Sequence, residues 1–197
     1  PVLPVKFGTI FRSPTSLIGL LTQHGDTISR FLEELRDKAE WSVKGYLDEE
    51  VARRKVAAAD PAIQSRLATL SLSPGARYFQ QKQIDGMIEV ALRMWVGRLT
   101  RDIQEALAAH AVEATELGLL SSAATGRPEQ MIFNGSFLVT YADLPNFRAV
   151  LSNLTEARRE AGLTLELKGP WPPYNFCPDL SGTPSPALPL EGGGEGG

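Results

Sequence analysis

Four stretches of this chain alternate apolar and polar residues with a period of two, and the segments between them repeat at helical spacing. From Val2 to Thr9, Leu3, Val5 and Phe7 point one way and Pro4 and Lys6 the other, which predicts a strand. Pro4 removes a ladder donor, so that strand has one edge-like side. Glu40 to Leu47 alternates again, with Trp41, Val43 and Leu47 on the buried side and Ser42, Lys44 and Tyr46 opposite. Met131 to Tyr141 sets Met131, Phe133, Phe137, Val139 and Tyr141 on one face, and Leu163, Leu165 and Leu167 make a last amphipathic strand. Prolines at 170, 172 and 173 fix φ and remove N–H donors, which predicts that the ladder stops there.

Helix starts are marked by a polar cap followed by proline: Ser13-Pro14, Asp60-Pro61 and Ser73-Pro74. After the first, Leu17, Leu21, His24, Ile28, Phe31 and Leu35 keep one stripe through Asp37. Gly25 falls inside it, so the segment reads as one helix with a weak point or as two shorter helices. Asp48 caps a charged helix over 49–59, and a second helix ends near Ser71. A third carries a stripe that includes Ile84, Ile88, Trp95, Leu99, Ile103 and Leu107 and reaches Leu117. Unbroken from Pro74 to Gly118, it would extend roughly 65 Å, longer than a small domain is wide. It must kink, project or pack on a partner, and Gly86 and Gly97 are its weak spots. Asp143 caps a further helix with Leu144, Phe147, Leu151 and Leu154 on one side, ended by Gly162.

With the helices between 49 and 118 set aside, the order is β-α-β followed by β-α-β. The fold class is therefore α+β: a modified ferredoxin-like βαββαβ sandwich with a multi-helix insertion between the second and third strands. The sheet is expected to bury one face under the helices at 14–37 and 143–161. Residues 1–177 form the domain, with 48–118 as its helical extension, and 178–197 read as a disordered low-complexity tail of proline, serine and glycine.

Composition narrows the function. Of 197 residues, 43% are hydrophobic, enough for a real core, and the net charge of −3 gives no electrostatic reason to expect nucleic acid. No run of about 18 apolar residues exists to span a membrane. Cys177, the single cysteine, excludes an internal disulfide and suits a reducing compartment. Pro1, followed at once by a core strand, reads as the start of a piece of something longer.

Candidate chemistry is thin. His24 and His110 sit on apolar stripes without HExxH, CxxC or a clustered carboxylate, and read as satisfied interior or interface histidines. Cys177 has no nearby base, and the 118–126 loop lacks the lysine of a phosphate cradle. No catalytic, cofactor-binding or metal-ligating residue is assigned, and no cofactor. The run from Asp48 to Lys55 reads as a solvated helix face with i,i+4 pairs Glu49–Arg53 and Glu50–Arg54, or as a docking surface for a charged partner. Two apolar features remain as a candidate interaction surface: Ile88, Trp95, Leu99 and Ile103 on the long helix, and Trp171, Tyr174 and Phe176 after the last strand. The aromatic group is either a clamp on its own domain or a surface for another.

Three segments carry a resemblance: Val2 to Phe11 (VLPVKFGTIF), Glu40 to Asp48 (EWSVKGYLD) and Leu167 to Phe176 (LKGPWPPYNF). In that order they are similar to the VLPVRFGT, EWGVKVYLD and GPWPPYSF segments of the gas vesicle protein GvpF/GvpL family, over roughly residues 2 to 177. The short tail and overall pattern look more like the F branch. The resemblance implies a modified ferredoxin fold with a helical extension, and a further N-terminal domain that this chain lacks and against which the aromatic ending packs. It also implies a gas vesicle location in the cytoplasm and a non-enzymatic role in assembly. Implied partners are the hydrophobic shell protein, which it would keep from aggregating, and other accessory gas vesicle proteins. The competing readings are a small-molecule-binding regulatory module on a ferredoxin-like sheet and a nonfunctional truncated remnant.

Overall fold

The computed structural model describes residues 1–5 and 9–180. In chain order it contains α1 (Pro14–Gln23), α2 (Gly25–Glu34), β1 (Lys38–Leu47), α3 (Glu49–Ala59), α4 (Pro61–Ala68), α5 (Pro74–Ala108), β2 (Glu113–Glu116), α6 (Ser122–Thr125), β3 (Gln130–Thr140), α7 (Leu144–Arg158) and β4 (Leu163–Trp171), with a 3-10 turn at Arg159–Ala161. The sheet order is β2-β3-β1-β4, and each neighbouring pair is antiparallel.

Caps set the helix starts. Ser13 and Ser16 form a reciprocal capping box, Asp48 accepts the Val51 N–H at 3.0 Å, and Asp60 accepts those of Ala62 and Ile63. Gly162, at φ +84°, closes the turn after α7, and a Cβ there would lie 3.0 Å from the Asp48 carbonyl oxygen.

The α+β class and the βαββαβ succession hold, but with a different set of strands. In 1–5 and 9–10 the described residues are not strand, and Lys6, Phe7 and Gly8 of the expected first strand lie outside the described residues. The missing member is β2, which pairs with β3 from Glu113↔Leu138 to Glu116↔Gly135. The long helix therefore stops at Ala108, about 52 Å from Pro74 at ~1.5 Å per residue, and Ala111, Ala114 and Leu117 lie beyond it, in and beside β2. It runs through Gly86 and Gly97 as one helix. In the observed sheet the helices of the insertion, α3 to α5, stand between its first and second strands. The segment after Ser13 takes the two-helix form, breaking at His24. The part of the expected tail from 181 to 197 lies outside the described residues.

A second correction concerns which helices cover the sheet. The helix-facing side of β1 and β3 (Trp41, Val43, Phe137, Val139) packs against α5 and α7, with Ile103, Leu107 and Phe147 fully buried. The Phe137 and Phe147 rings stand 5.3 Å apart at 60°. Helices α3 and α5 thus occupy the place expected for 14–37, and neither α1 nor α2 contains a buried residue. A smaller cluster of Ala57, Ile63 and Ile84 joins α3, α4 and α5. Arg53 reaches from α3 to Glu89 of α5, and this hydrogen-bonded carboxylate raises its pKa further, with burial opposing. The two i,i+4 pairs of α3 are present, at 3.6 and 3.5 Å.

The second face of the sheet mixes polar residues (Glu40, Ser42, Lys44, Asn134, Ser136) with the buried Leu138 and Met131, which share it with Glu40 and Tyr46. At one end Asn134 donates to the Gly118 carbonyl and the Arg127 guanidinium lies 4.3 Å over the Tyr46 ring, which is why Tyr46 is buried despite its place on the nominally open side. At the other end the chain after β4 folds back over Glu40.

Candidate interaction surface

The seven residues singled out from the sequence do not form one surface. Leu99 and Ile103 are buried in the main core under α7 and the sheet, so they are not available to a partner. The reason is geometric: with α3 and α5 taking the covering position, the α5 stripe becomes the core seam. Trp95 is half-buried against the same core, and Ile88 against the smaller cluster. Trp171 and Tyr174 remain about half exposed, at 48% and 51%, with Phe176 half-buried beside them. The apolar residues that α5 does expose lie off its stripe: Tyr78, Phe79, Val90 and Met94.

The aromatic segment is built on the end of β1. Its ladder runs past Lys168 through an irregularity opposite Trp41, so that Trp171 pairs with Glu40 while Lys168 pairs with Ser42. Gly169 sits in the irregularity at φ +145°, where a Cβ would lie 2.9 Å from the Glu40 carbonyl oxygen and 3.0 Å from the Trp41 ring. Strand pairing thus reaches Trp171, beyond the expected stop, because glycine lets the backbone cross the step that the prolines forbid in a flat ladder.

Glu40 then fixes the segment after β4. Its carboxylate is 3% exposed and accepts the Ser136 hydroxyl at 2.7 Å, the Asn175 side-chain amide at 2.6 Å and the Asn175 backbone N–H at 3.0 Å. The Cys177 sulfur lies 3.1 Å from the Pro173 carbonyl oxygen and 3.6 Å from that of Pro4. The two termini of the domain therefore meet. Between them is a cleft of about 450 Å³ lined by Pro1, Val2, Leu35, Tyr141, Trp171 and Pro173, among others. Val2, Tyr141 and Trp171 of its lining are exposed, and Tyr174, which follows the lining residue Pro173, is exposed as well. Sequence reasoning missed Glu40 and Tyr141 as parts of this end; its one available signal was a carboxylate between Ala39 and Trp41 in a strand. It also missed the α1–α2 arm, whose Leu17, Ile18 and Leu21 are open to solvent. Leu35, just after α2, brings that arm to the cleft.

With this geometry in hand, comparison with known proteins is decisive. A family model described as gas vesicle synthesis protein GvpL/GvpF matches residues 1–178. The chain belongs to the GvpL/GvpF family. It is 29% identical over 175 residues to gas vesicle protein F of Streptomyces sp. (strain CB03234), covering 89% of this chain and 69% of that protein. To gas vesicle protein L of the same organism it is 28% identical, covering 89% and 62%. To gas vesicle protein L of Haloferax mediterranei it is 24% identical over 180 residues, covering 90% and 56%. The chain thus spans between 56 and 69% of the length of these relatives. Crystal structures of GvpF from Anabaena sp. PCC7120 and Microcystis aeruginosa share its fold, with TM-scores of 0.65 and 0.59 at 18% and 17% identity, each covering 69% of the solved chain.

In this GvpL/GvpF chain the described residues hold no group of three or more His, Cys, Asp or Glu placed to bind a metal ion, and no helix long and apolar enough to cross a membrane. His110 has a structural partner: its Nδ1 is 3.1 Å from Asp143 Oδ2, tying the end of α5 to the start of α7. The Asp143 carboxyl is held below its ordinary value of 3.8, first by the Asn146 side-chain amide and then by His110, with desolvation opposing. A carboxyl lowered in the folded state contributes stability above the unfolded value and loses it as pH falls through the folded one. Asp143→Asn is therefore expected to lower Tm above that range, and the difference from the native chain should close on acidification. Thermal melts across pH 2–7 check this, and a difference that persisted at the acid end would contradict it.

Proposed function

We propose that this chain is a non-catalytic assembly component of gas vesicles that works by binding other gas vesicle proteins in the cytoplasm, the hydrophobic shell protein among them. The observation that carries the reading is the uncovered apolar surface at one end: the cleft with Trp171 and Tyr141, the exposed Tyr174 after it, and the α1–α2 arm with no buried residue. A monomer that leaves a pair of amphipathic helices and several aromatic rings open has surface built for another polypeptide. In the longer relatives, part of this end would meet a further domain in cis, with residues 1–177 acting as the C-terminal-type unit. The rest would shield the shell protein before it polymerises.

The test is co-expression of the shell protein with the native chain and with Trp171→Glu/Tyr174→Glu. Both positions are half exposed, so the fold survives. Losing two aromatic anchors is expected to weaken binding at least about tenfold and return the shell protein to the insoluble fraction. Unchanged shell-protein solubility and binding would count against the reading.

A further inference from the structure

A second cavity lies at the opposite end of the sheet from the aromatic cleft. It is an open groove of about 800 Å³ bounded by the α3–α4 corner, the middle of α5 and the end of α7. Its apolar lining combines Trp95 and Met94 with small residues (Ala59, Ala91, Ala157, Ala161), so the walls stand back from a hydrophobic base. Met94 is 59% exposed, which makes the groove a channel along the surface and not an enclosure around a small molecule.

Its charges are unequal in a way that selects a partner. Each of the three lining carboxylates already has a donor: Asp60 caps α4, Glu160 lies 3.3 Å from the Lys55 Nζ, and Glu156 lies 3.5 Å from Arg159. Of the four lining cations, Lys55 and Arg159 are used in those pairs. Arg98 and Arg158 are exposed and make no ion pair among the described residues. They approach the groove from two different helices, α5 and α7, so two uncommitted guanidiniums flank an apolar channel.

We infer that this groove is a docking site for an acidic amphipathic helix of another gas vesicle protein, laid between α3–α4 and α7 with its apolar side on Trp95 and Met94 and its carboxylates on Arg98 and Arg158. Four helices already frame the channel, and a further one packed over alanine walls can approach at the usual interaxial distance of roughly 8–10 Å. Methionine adapts its shape to the incoming side chains, and arginine offers a planar two-pronged donor for each carboxylate. The inference rests on the reading that the chain works by protein contacts, but it assigns a second surface with its own chemistry.

The experiment places a photo-crosslinking residue at the groove (Met94→p-benzoylphenylalanine) and, separately, at the aromatic end (Tyr174→p-benzoylphenylalanine) in gas-vesicle-forming cells, and sequences the cross-linked peptides. Position 94 is expected to capture a helical segment of net negative charge with one apolar face, from a gas vesicle protein. Arg98→Glu/Arg158→Glu should cut that yield at least about tenfold, since two charge-assisted contacts become repulsive, while leaving the yield at 174 and the melting curve unchanged. Capture at 174 with none at 94 overturns the groove assignment and leaves the proposed function standing; capture at neither overturns both. A basic segment, a second copy of this chain, a lipid, or a yield indifferent to the charge reversal each overturns the groove assignment as well.

Discussion

Ile103→Glu is expected to leave no folded protein, whereas Met94→Glu, nine residues earlier on the same helix, should melt close to the native chain. Ile103 is 0% exposed beneath the sheet, and Met94 projects into solvent. A carboxylate buried without a partner costs several kcal/mol, and at least about 5 is expected here because no lysine or arginine is among the buried residues described. Total stabilities of roughly 5–15 kcal/mol leave little after such a loss. Ile103→Ala gives the graded version: about 2–5 kcal/mol, or a Tm lower by roughly 5–15 °C for a chain of this size. Circular dichroism melts of the three variants decide it. Should Ile103→Glu fold with a native Tm, the α5 seam faces solvent and the shell protein could bind there after all. The comparison matters for function because it separates what this helix spends on its own core from what it leaves for others.

How much of this was legible depends on which signals are local. Ser13-Pro14, Asp48 and Asp60-Pro61 mark helix starts because a cap is satisfied within three residues of itself. The alternation of β1, β3 and β4 was readable because each runs at least nine residues. β2, with four, was not: Ala111, Ala114 and Leu117 continue the spacing of α5 closely enough that a helix pattern absorbs the strand.

The candidate surface failed where the question was non-local. An apolar stripe states that a helix buries one side, and never against what. Leu17, Leu21 and Ile28 made α1–α2 look as suitable for covering the sheet as Leu99 and Ile103 did, and the structure assigns the sheet to the latter. Trp171 and Tyr174 remain about half exposed because Trp171 is the last residue of β4 and the prolines at 172 and 173 stop the ladder before Tyr174. The groove at Met94 had Trp95 as its one sequence signal, since the rest of its lining is gathered from four helices and the turn after α7.

Glu40→Gln should destabilise the chain by about 2 kcal/mol and release the aromatic segment from the sheet. Three donors converge on two carboxylate oxygens: Ser136 and the Asn175 side chain on one, the Asn175 backbone N–H on the other. Glutamine keeps a single oxygen and sets its amide N–H₂ against a donor, so one contact turns repulsive. Hydrogen bonds to a charged group contribute about 1.5–3 kcal/mol each, but Asn175 is exposed and can turn to water, so the sum is far from additive. Ser136, 0% exposed, can still donate to the remaining oxygen or rotate to accept the new amide, so its share is the lost charge assistance of a buried bond. The Asn175 backbone N–H, a donor only, loses its acceptor. A double-mutant cycle of Glu40→Gln with Asn175→Ala should return a coupling of roughly 1 kcal/mol or more, as expected of groups in one network. Chymotrypsin supplies the functional half of the test: cleavage after Tyr174 and Phe176 should accelerate in Glu40→Gln well before the domain melts. If Tm, coupling and cleavage all match the native chain, Glu40 does not hold the segment, and the partner surface at Trp171 must be ordered by something other than this buried carboxylate.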